Sequence, residues 1–300
     1  MKKVLKWAGI GMGGLVILLV VAVAVLVLTG QSRLGRAYAM EARPVDIPGD
    51  AATVERGQHL VTAVVPCVGC HGEKLEGKVF LDEAPIGRVV APNLTSGEGG
   101  VGGNYTDMDW VRILRHGIRP DGTPVLPMMP SGKFAVLSDE DLAAVIAYVK
   151  SVPPVDKPLP SNQLAFTGKI IMGVLENGNL PVQQIDHQAV QPATVEPSVT
   201  AAYGQYLLTV ALCQDCHGEN LAGGVASPSD PYAPNLTPTG NLASWTEDDF
   251  LTMFRTGIAP GNRQISPAMP YEIFGRMTDD ELKAIWLYLQ TVPSLPDNPQ

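Results

Sequence analysis

Residues 66–77 read PCVGCHGEKLEG, and residues 213–224 read CQDCHGENLAGG. Each stretch holds two cysteines two residues apart with a histidine directly after the second, and together they use all 4 cysteines of the 300-residue chain. The surroundings repeat in the same order. Gly57-Gln58-x-Leu60 returns as Gly204-Gln205-x-Leu207, His71-Gly72-Glu73-x-Leu75 as His217-Gly218-Glu219-x-Leu221, and Ala91-Pro92-Asn93-Leu94-Thr95 as Ala233-Pro234-Asn235-Leu236-Thr237. Gly117-Ile118 then matches Gly257-Ile258, Met129-Pro130 matches Met269-Pro270, and Tyr148 matches Tyr288. Two homologous domains follow, 52–154 and 199–300, joined by a proline-rich, unrepeated connector at 155–198 that is expected to pack along both, with a helical turn or two near 164–175.

Within each domain three short helices can be placed. One precedes the first cysteine, at about 53–64 and 199–211. The second opens at Thr106 and Thr246, where a hydroxyl cap and acids in the first turn satisfy free amides and complement the positive helix end. The third opens at Ser138 and Thr278 with the S/T-x-x-D/E signature. Its apolar positions Leu142, Val145, Ile146 and Val149, matched by Leu282, Ile285, Trp286 and Leu289, have the spacing of one buried face. With 31 Gly and 26 Pro and few alternating segments, the expected fold is all-α: short helices and long loops, without extended sheet. Such faces are too small to hold a hundred loop-rich residues together, so a bulky apolar group is expected between them.

The cysteine pairs admit three chemistries: a redox disulfide, half a zinc site, or haem attachment when histidine follows directly. A thioredoxin-like motif has no use for the histidine and expects a βαβ setting. For zinc, each repeated domain would own only half a site plus one histidine. For haem every part has a role: two thiols form thioethers with the two vinyl groups, and the adjacent histidine turns its imidazole to the iron. Two covalent haems c are therefore expected, on Cys67, Cys70 and His71 and on Cys213, Cys216 and His217. The repeat also ranks the sixth ligands. Met129 and Met269 match, 58 and 52 residues after the haem-binding histidines. His59 falls on Tyr206, His116 on Thr256, Met128 on Ala268, and His187 lies in the connector, so none of these is a shared element. A thioether opposite imidazole raises the reduction potential and leaves no coordination position for a reactant.

At the N-terminus, Trp7 to Thr29 is a run of 23 uncharged residues behind MKKVLK, long enough to cross a bilayer. Residues 1–30 are expected to be a transmembrane anchor and 31–51 a juxtamembrane linker. A cleaved signal is the weaker reading, because Ala37-Tyr38-Ala39 lies beyond Arg33 and Arg36. Three lysines before the span against two arginines after it place the short end inside and the haem domains on the extracytoplasmic, periplasmic side. The net charge is −9, and −12 without Lys2, Lys3 and Lys6, which argues against nucleic-acid binding and for partners that are basic at the contact.

The succession C-x-x-C-H-G-x-x-L-x-G, A-P-N-L-T, acid-capped helix, M-P and S/T-D-[DE]-[DE]-L resembles the class I cytochrome c domains in the haem-c subunits of membrane-bound bacterial dehydrogenases of the alcohol and gluconate type. It covers roughly 200 residues. Several of those subunits have three haems, whereas this chain has two motifs. The resemblance implies an electron carrier without catalytic residues of its own, with redox proteins as partners: a dehydrogenase subunit, a quinol oxidoreductase or a terminal oxidase. It also implies that the carbonyls of Pro92 and Pro234 hold the ring N–H of His71 and His217. The competing class is a dihaem enzyme, a peroxidase or a sulfur-compound dehydrogenase, with one haem open to substrate; His116 or a displaced Met129 would serve it.

Overall fold

A computed structural model describes residues 2–175, 180–225 and 231–299. Helix α1 (Lys2–Leu34) stands away from the rest over most of its length, and it is the one described helix long and apolar enough to cross a membrane. The first domain is built from α2 (Ala51–His59) running into a π-type turn at Leu60–Val64, α3 (Cys67–His71), strands β1 (Lys78–Glu83) and β2 (Gly87–Ala91), α4 (Asp107–His116), α5 (Ser131–Phe134) and α6 (Asp139–Ser151). The connector supplies β3 (Gln163–Leu164), α7 (Phe166–Ile170) continued by a π-type turn at Ile171–Leu175, and α8 (Pro181–Gln184). The second domain repeats the helices as α9 (Ala201–Val210), α10 (Cys213–His217), α11 (Glu247–Thr256), α12 (Tyr271–Phe274) and α13 (Asp279–Leu289), with a small ladder of β4 (Ile258–Ala259) and β5 (Arg263–Gln264) after α11.

The caps sit where the hydroxyl and acid pattern puts them. Thr106, Thr246 and Thr278 each close a capping box with the acid three residues on, and the Ser138 hydroxyl accepts from the Asp141 amide. A helix as short as α2 is marginal alone, so its stability comes from lying against α6, as α9 lies against α13. The crossing point explains the repeated glycine. A Cβ on Gly57 would overlap the Ala144 carbonyl, and one on Gly204 the Ala284 carbonyl; only glycine lets the helices approach this closely. Around the crossings Leu60, Leu142, Ile146, Leu207 and Leu282 are fully buried.

The sheet was not anticipated. β1 and β2 form an antiparallel hairpin, and β2 pairs with β3 through Gly87–Leu164 and Arg88–Gln163. The signal was present in the β-branched and aromatic run Val79-Phe80-Leu81 and in Val89-Val90, joined by the turn-forming Ala84-Pro85-Ile86-Gly87. In the second domain the described residues of the corresponding region are joined by a Gly224–Ala233 bridge.

The domains meet through a half-buried polar network on α2, α6, α9 and α13. Within the first domain Arg56 Nε donates to Asp141 at 2.9 Å. Across the interface Tyr206 donates to Asp141 at 2.7 Å, and His59 Nε2 lies 2.8 Å from Glu281. At the periphery Lys133 pairs with Glu219 at 2.9 Å and Arg276 with Glu73 at 3.0 Å. The two domains share one continuous apolar core.

Candidate haem sites

Each C-x-x-C-H stretch forms one short helix, α3 or α10, that brings both thiols and the imidazole to one side of its domain. His71 Nδ1 lies 2.9 Å from the Pro92 carbonyl oxygen, and His217 Nδ1 lies 2.7 Å from that of Pro234. A carbonyl only accepts, so Nδ1 donates in both rings, which leaves the Nε2 lone pair free as a ligand. Burial lowers the pKa of both histidines against the opposing effect of these hydrogen bonds, keeping the rings neutral. The Asn in each A-P-N-L-T segment is buried: Asn93 donates to Val155 O and Asn235 to Leu295 O, and the side-chain oxygens accept from the Thr95 and Thr237 amides. That bracing holds the proline carbonyl in place.

In the first domain the motif faces a cavity of about 650 Å³, within the roughly 300–1,000 Å³ usual for cofactor-sized ligands. Cys67, Cys70, His71 and Pro92 line one part and Met128 and Met129 another, with walls from β1, β2, α4 and α6. Burial, then the neighbouring Cys70, pushes the Cys67 thiol up to about 12, and burial, then Cys216, does the same to Cys213. Such thiols do not ionise readily, the opposite of what an attacking redox cysteine requires. The zinc reading also fails on placement: among the described residues no group of three or more His, Cys, Asp or Glu is gathered closely enough to hold a metal ion.

A further mark of fit comes from Trp110. Its ring lines the cavity and is only 4% exposed, yet its Nε1–H has no hydrogen-bond partner among the described residues. Arg119 and Tyr105 line the same space, and burial pulls the Arg119 guanidinium below its usual pKa against the weaker pull of Asp121. An indole N–H and a guanidinium among the lining of an apolar cavity suit a ligand with an apolar body and anionic substituents, as haem has. In the second domain the corresponding residues are Phe250, Ala259 and Trp245, so the two sites differ electrostatically. Sequence reasoning passed over Trp110 and Arg119 because they are not repeated.

A family model described as cytochrome c matches residues 54–153 and 201–293. The chain belongs to the cytochrome c family. Membership indicates covalently held haem c, and the two motifs suit two such groups. Among individual proteins, the chain is 28% identical to the fructose dehydrogenase cytochrome subunit of Gluconobacter japonicus, over 87% of this chain and 57% of that protein. It is 30% identical to the cytochrome c subunit of the alcohol dehydrogenase (quinone) of Gluconobacter oxydans, over 88% of this chain and 58% of that protein. A diheme cytochrome c-type protein of Cereibacter sphaeroides is 24% identical over 92% of this chain and 98% of its own length. The chain thus spans a little under three fifths of the two dehydrogenase subunits, 57% and 58%.

The other histidines lie elsewhere. His59 bridges to Glu281, and His116 Nδ1 meets His187 Nδ1 at 2.9 Å, with His187 Nε2 donating to Val182 O. None of the three lines the cavity. The lining does include Asp215 of the second motif and Leu212, the residue just before it.

Proposed function

We propose that this chain is a membrane-anchored two-haem electron carrier whose haem domains lie on the extracytoplasmic, periplasmic side, working as the electron-transfer subunit of a dehydrogenase rather than as the catalyst. The observation that carries the reading is the first-domain cavity, where two half-buried thiols whose pKa is raised, an imidazole with a free Nε2 and the Met129 side chain line one apolar space. Bound haem c supplies reversible one-electron chemistry at its iron. Cys67 and Cys70 would hold it covalently, His71 and Met129 would be its iron donors, and the Pro92 carbonyl orients the His71 ring. Cys213, Cys216, His217, Met269 and Pro234 would do the same in the second domain. Met128 shares the cavity, but the repeat selects Met129 because its counterpart is Met269 and that of Met128 is Ala268. Two protein donors per site would leave no position for substrate at the metal, and the apolar walls of the first cavity would exclude water.

The two sites meet. Asp215 of the second motif and Leu212 just before it line the first cavity, and Lys133, three residues after the first Met-Pro pair, reaches Glu219 two residues after His217. The names of the similar dehydrogenase cytochrome subunits support a dehydrogenase as the partner, and the lysine-headed span supports the orientation.

The test is spectroscopic. The oxidised protein should show the weak long-wavelength sulfur-to-iron band, halved in Met129→Ala and again in Met269→Ala, and each variant should open one iron to carbon monoxide. Carbon monoxide binding to the reduced, unaltered protein would instead assign it to the substrate-binding haem enzymes.

A further inference from the structure

We propose that the connector segment Phe166–Leu175 is a second membrane-contact element, lying in the headgroup layer against the outer end of the span and fixing the first domain as the bilayer-proximal one. The inference rests on α1 being a retained anchor. The apolar run Trp7–Thr29 is about 34 Å long as a helix, against a hydrocarbon core of about 30 Å, so Gly30 comes to lie at the outer boundary of the core. There the structure packs α1 against α7 and its continuation. A Cβ on Gly30 would overlap the Lys169 carbonyl and one on Gly173 would press on the Gly30 backbone, a close approach of small residues of the kind that joins helices in lipid. Lys169 Nζ donates to Gln31 Oε1 at 3.3 Å, and Arg33 Nη1 to Gly173 O at 3.3 Å.

The segment reads FTGKIIMGVL, with a single charge. Its buried side, Gly168, Met172 and Gly173, meets protein. Phe166 is 60% exposed, and Ile170, Ile171 and Val174 are partly exposed, leaving an apolar flank at the level where the anchor leaves the hydrocarbon. What covers that flank is the bilayer the anchor already occupies: apolar side chains inserted at the headgroup boundary with a lysine at its edge are the composition of an interfacial helix.

The same segment carries the wall of the first cavity. Ala165 N donates to Ile86 O at 2.9 Å, the Thr167 hydroxyl donates to Pro85 O, and β3 extends β2, whose Val89, Val90 and Ala91 line the cavity. At and beyond the C-terminal end of α1, Leu34, Tyr38 and Met40 pack on Ile118, Leu180 and Val182, and Tyr38 N donates to Gly122 O at 2.8 Å. The first domain is thus clamped to the anchor twice, and its haem site is the one held nearest the membrane.

The test uses the full-length, haem-loaded protein in vesicles of phosphatidylcholine and phosphatidylglycerol, with p-benzoylphenylalanine placed singly at Phe166, Ile170, Leu28 in the span, or Val190, which is 77% exposed in the connector. Lipid adducts at 166 and 170 should exceed those at 190 by at least about fivefold and approach those at 28, as expected for insertion at the headgroup boundary. Gly30→Leu should reduce adducts at 166 severalfold while the protein stays in the vesicles through an alkaline wash. Protein that withstands the wash but labels at 166 and 170 no more than at 190 overturns the contact element and leaves the anchor standing. Loss of the protein in the wash overturns the anchor, and the inference with it. Unchanged labelling in Gly30→Leu overturns the docking against the span.

Discussion

Replacing Tyr206 by phenylalanine removes one oxygen atom from the domain interface, and the structure says what that oxygen does. It donates to Asp141 at 2.7 Å and accepts from the Ser138 amide at 3.2 Å, so one hydroxyl of the second domain ties both the cap and the first-turn carboxylate of α6. Burial, then the Asp141 carboxylate, raises the phenol pKa well above its usual value and keeps the donor protonated. A hydrogen bond to a charged acceptor contributes about 1.5–3 kcal/mol, and a buried amide left without an acceptor costs about 1–3 kcal/mol. The Ser138 side chain is fully buried but Tyr206 is only partly so. Water can therefore soften the second effect, and the expected loss is about 2–4 kcal/mol. Tyr203→Phe is the control, because its hydroxyl meets only Arg56, at 3.4 Å, and should cost no more than about 1 kcal/mol. Urea unfolding of the haem-loaded protein gives the difference, and amide exchange at Ser138 should quicken in Tyr206→Phe alone. A loss below about 0.5 kcal/mol, equal to that of Tyr203→Phe, would refute the assignment of Tyr206 as a domain clamp.

Three further outcomes are expected. Burial raises the Glu281 pKa, but the His59 hydrogen bond and charge, the Thr278 amide and Arg56 outweigh it and hold the carboxylate below 4.5. Its contribution is complete above that value and lost as pH falls through the lowered one; small-angle scattering should show the domains separating on acidification, earlier in Glu281→Gln. Burial, then His187 and the nearby arginines, lowers the His116 pKa from 6.5 to about 4. Neutral His116 therefore stabilises the connector fully above pH 6.5, and that stability is lost as pH falls to about 4; proteolysis of the connector should rise over this window and lose its pH dependence in His116→Gln. Removing the cavity cation with Arg119→Gln should lower the potential of one haem by tens of millivolts, at an effective dielectric of about 20, and leave the other unchanged in a spectroelectrochemical titration. Equal shifts at both haems would show that Arg119 acts on the whole protein rather than on the first site.

The repeat was a reliable guide to shared parts and a poor one to the interface, for one reason. His59 was set aside because it falls on Tyr206, and Arg56 falls on Tyr203. Those mismatches are the residues through which the domains touch. Two copies of a domain that face each other across a pseudo-twofold keep what holds a haem and diverge where one copy must complement the other, as His59 does with Glu281 and Tyr206 with Asp141. The hairpin at 78–91 was missed because a search for helix period passes over two short strands.

The sequence alone carries the two C-x-x-C-H motifs, the correspondence of Met129 with Met269, the caps and an apolar run long enough to span a bilayer. Each of these depends on residues near one another in the chain or on comparing one copy with the other. Tertiary structure decided what depends on distant segments meeting. It placed Leu212 and Asp215 in the lining of the first cavity, left the Trp110 indole in that lining without a hydrogen-bond partner among the described residues, and set the connector against Gly30. His59 and Glu281 are 222 residues apart, and only the packing of α2 and α13 across the interface brings them to hydrogen-bonding distance.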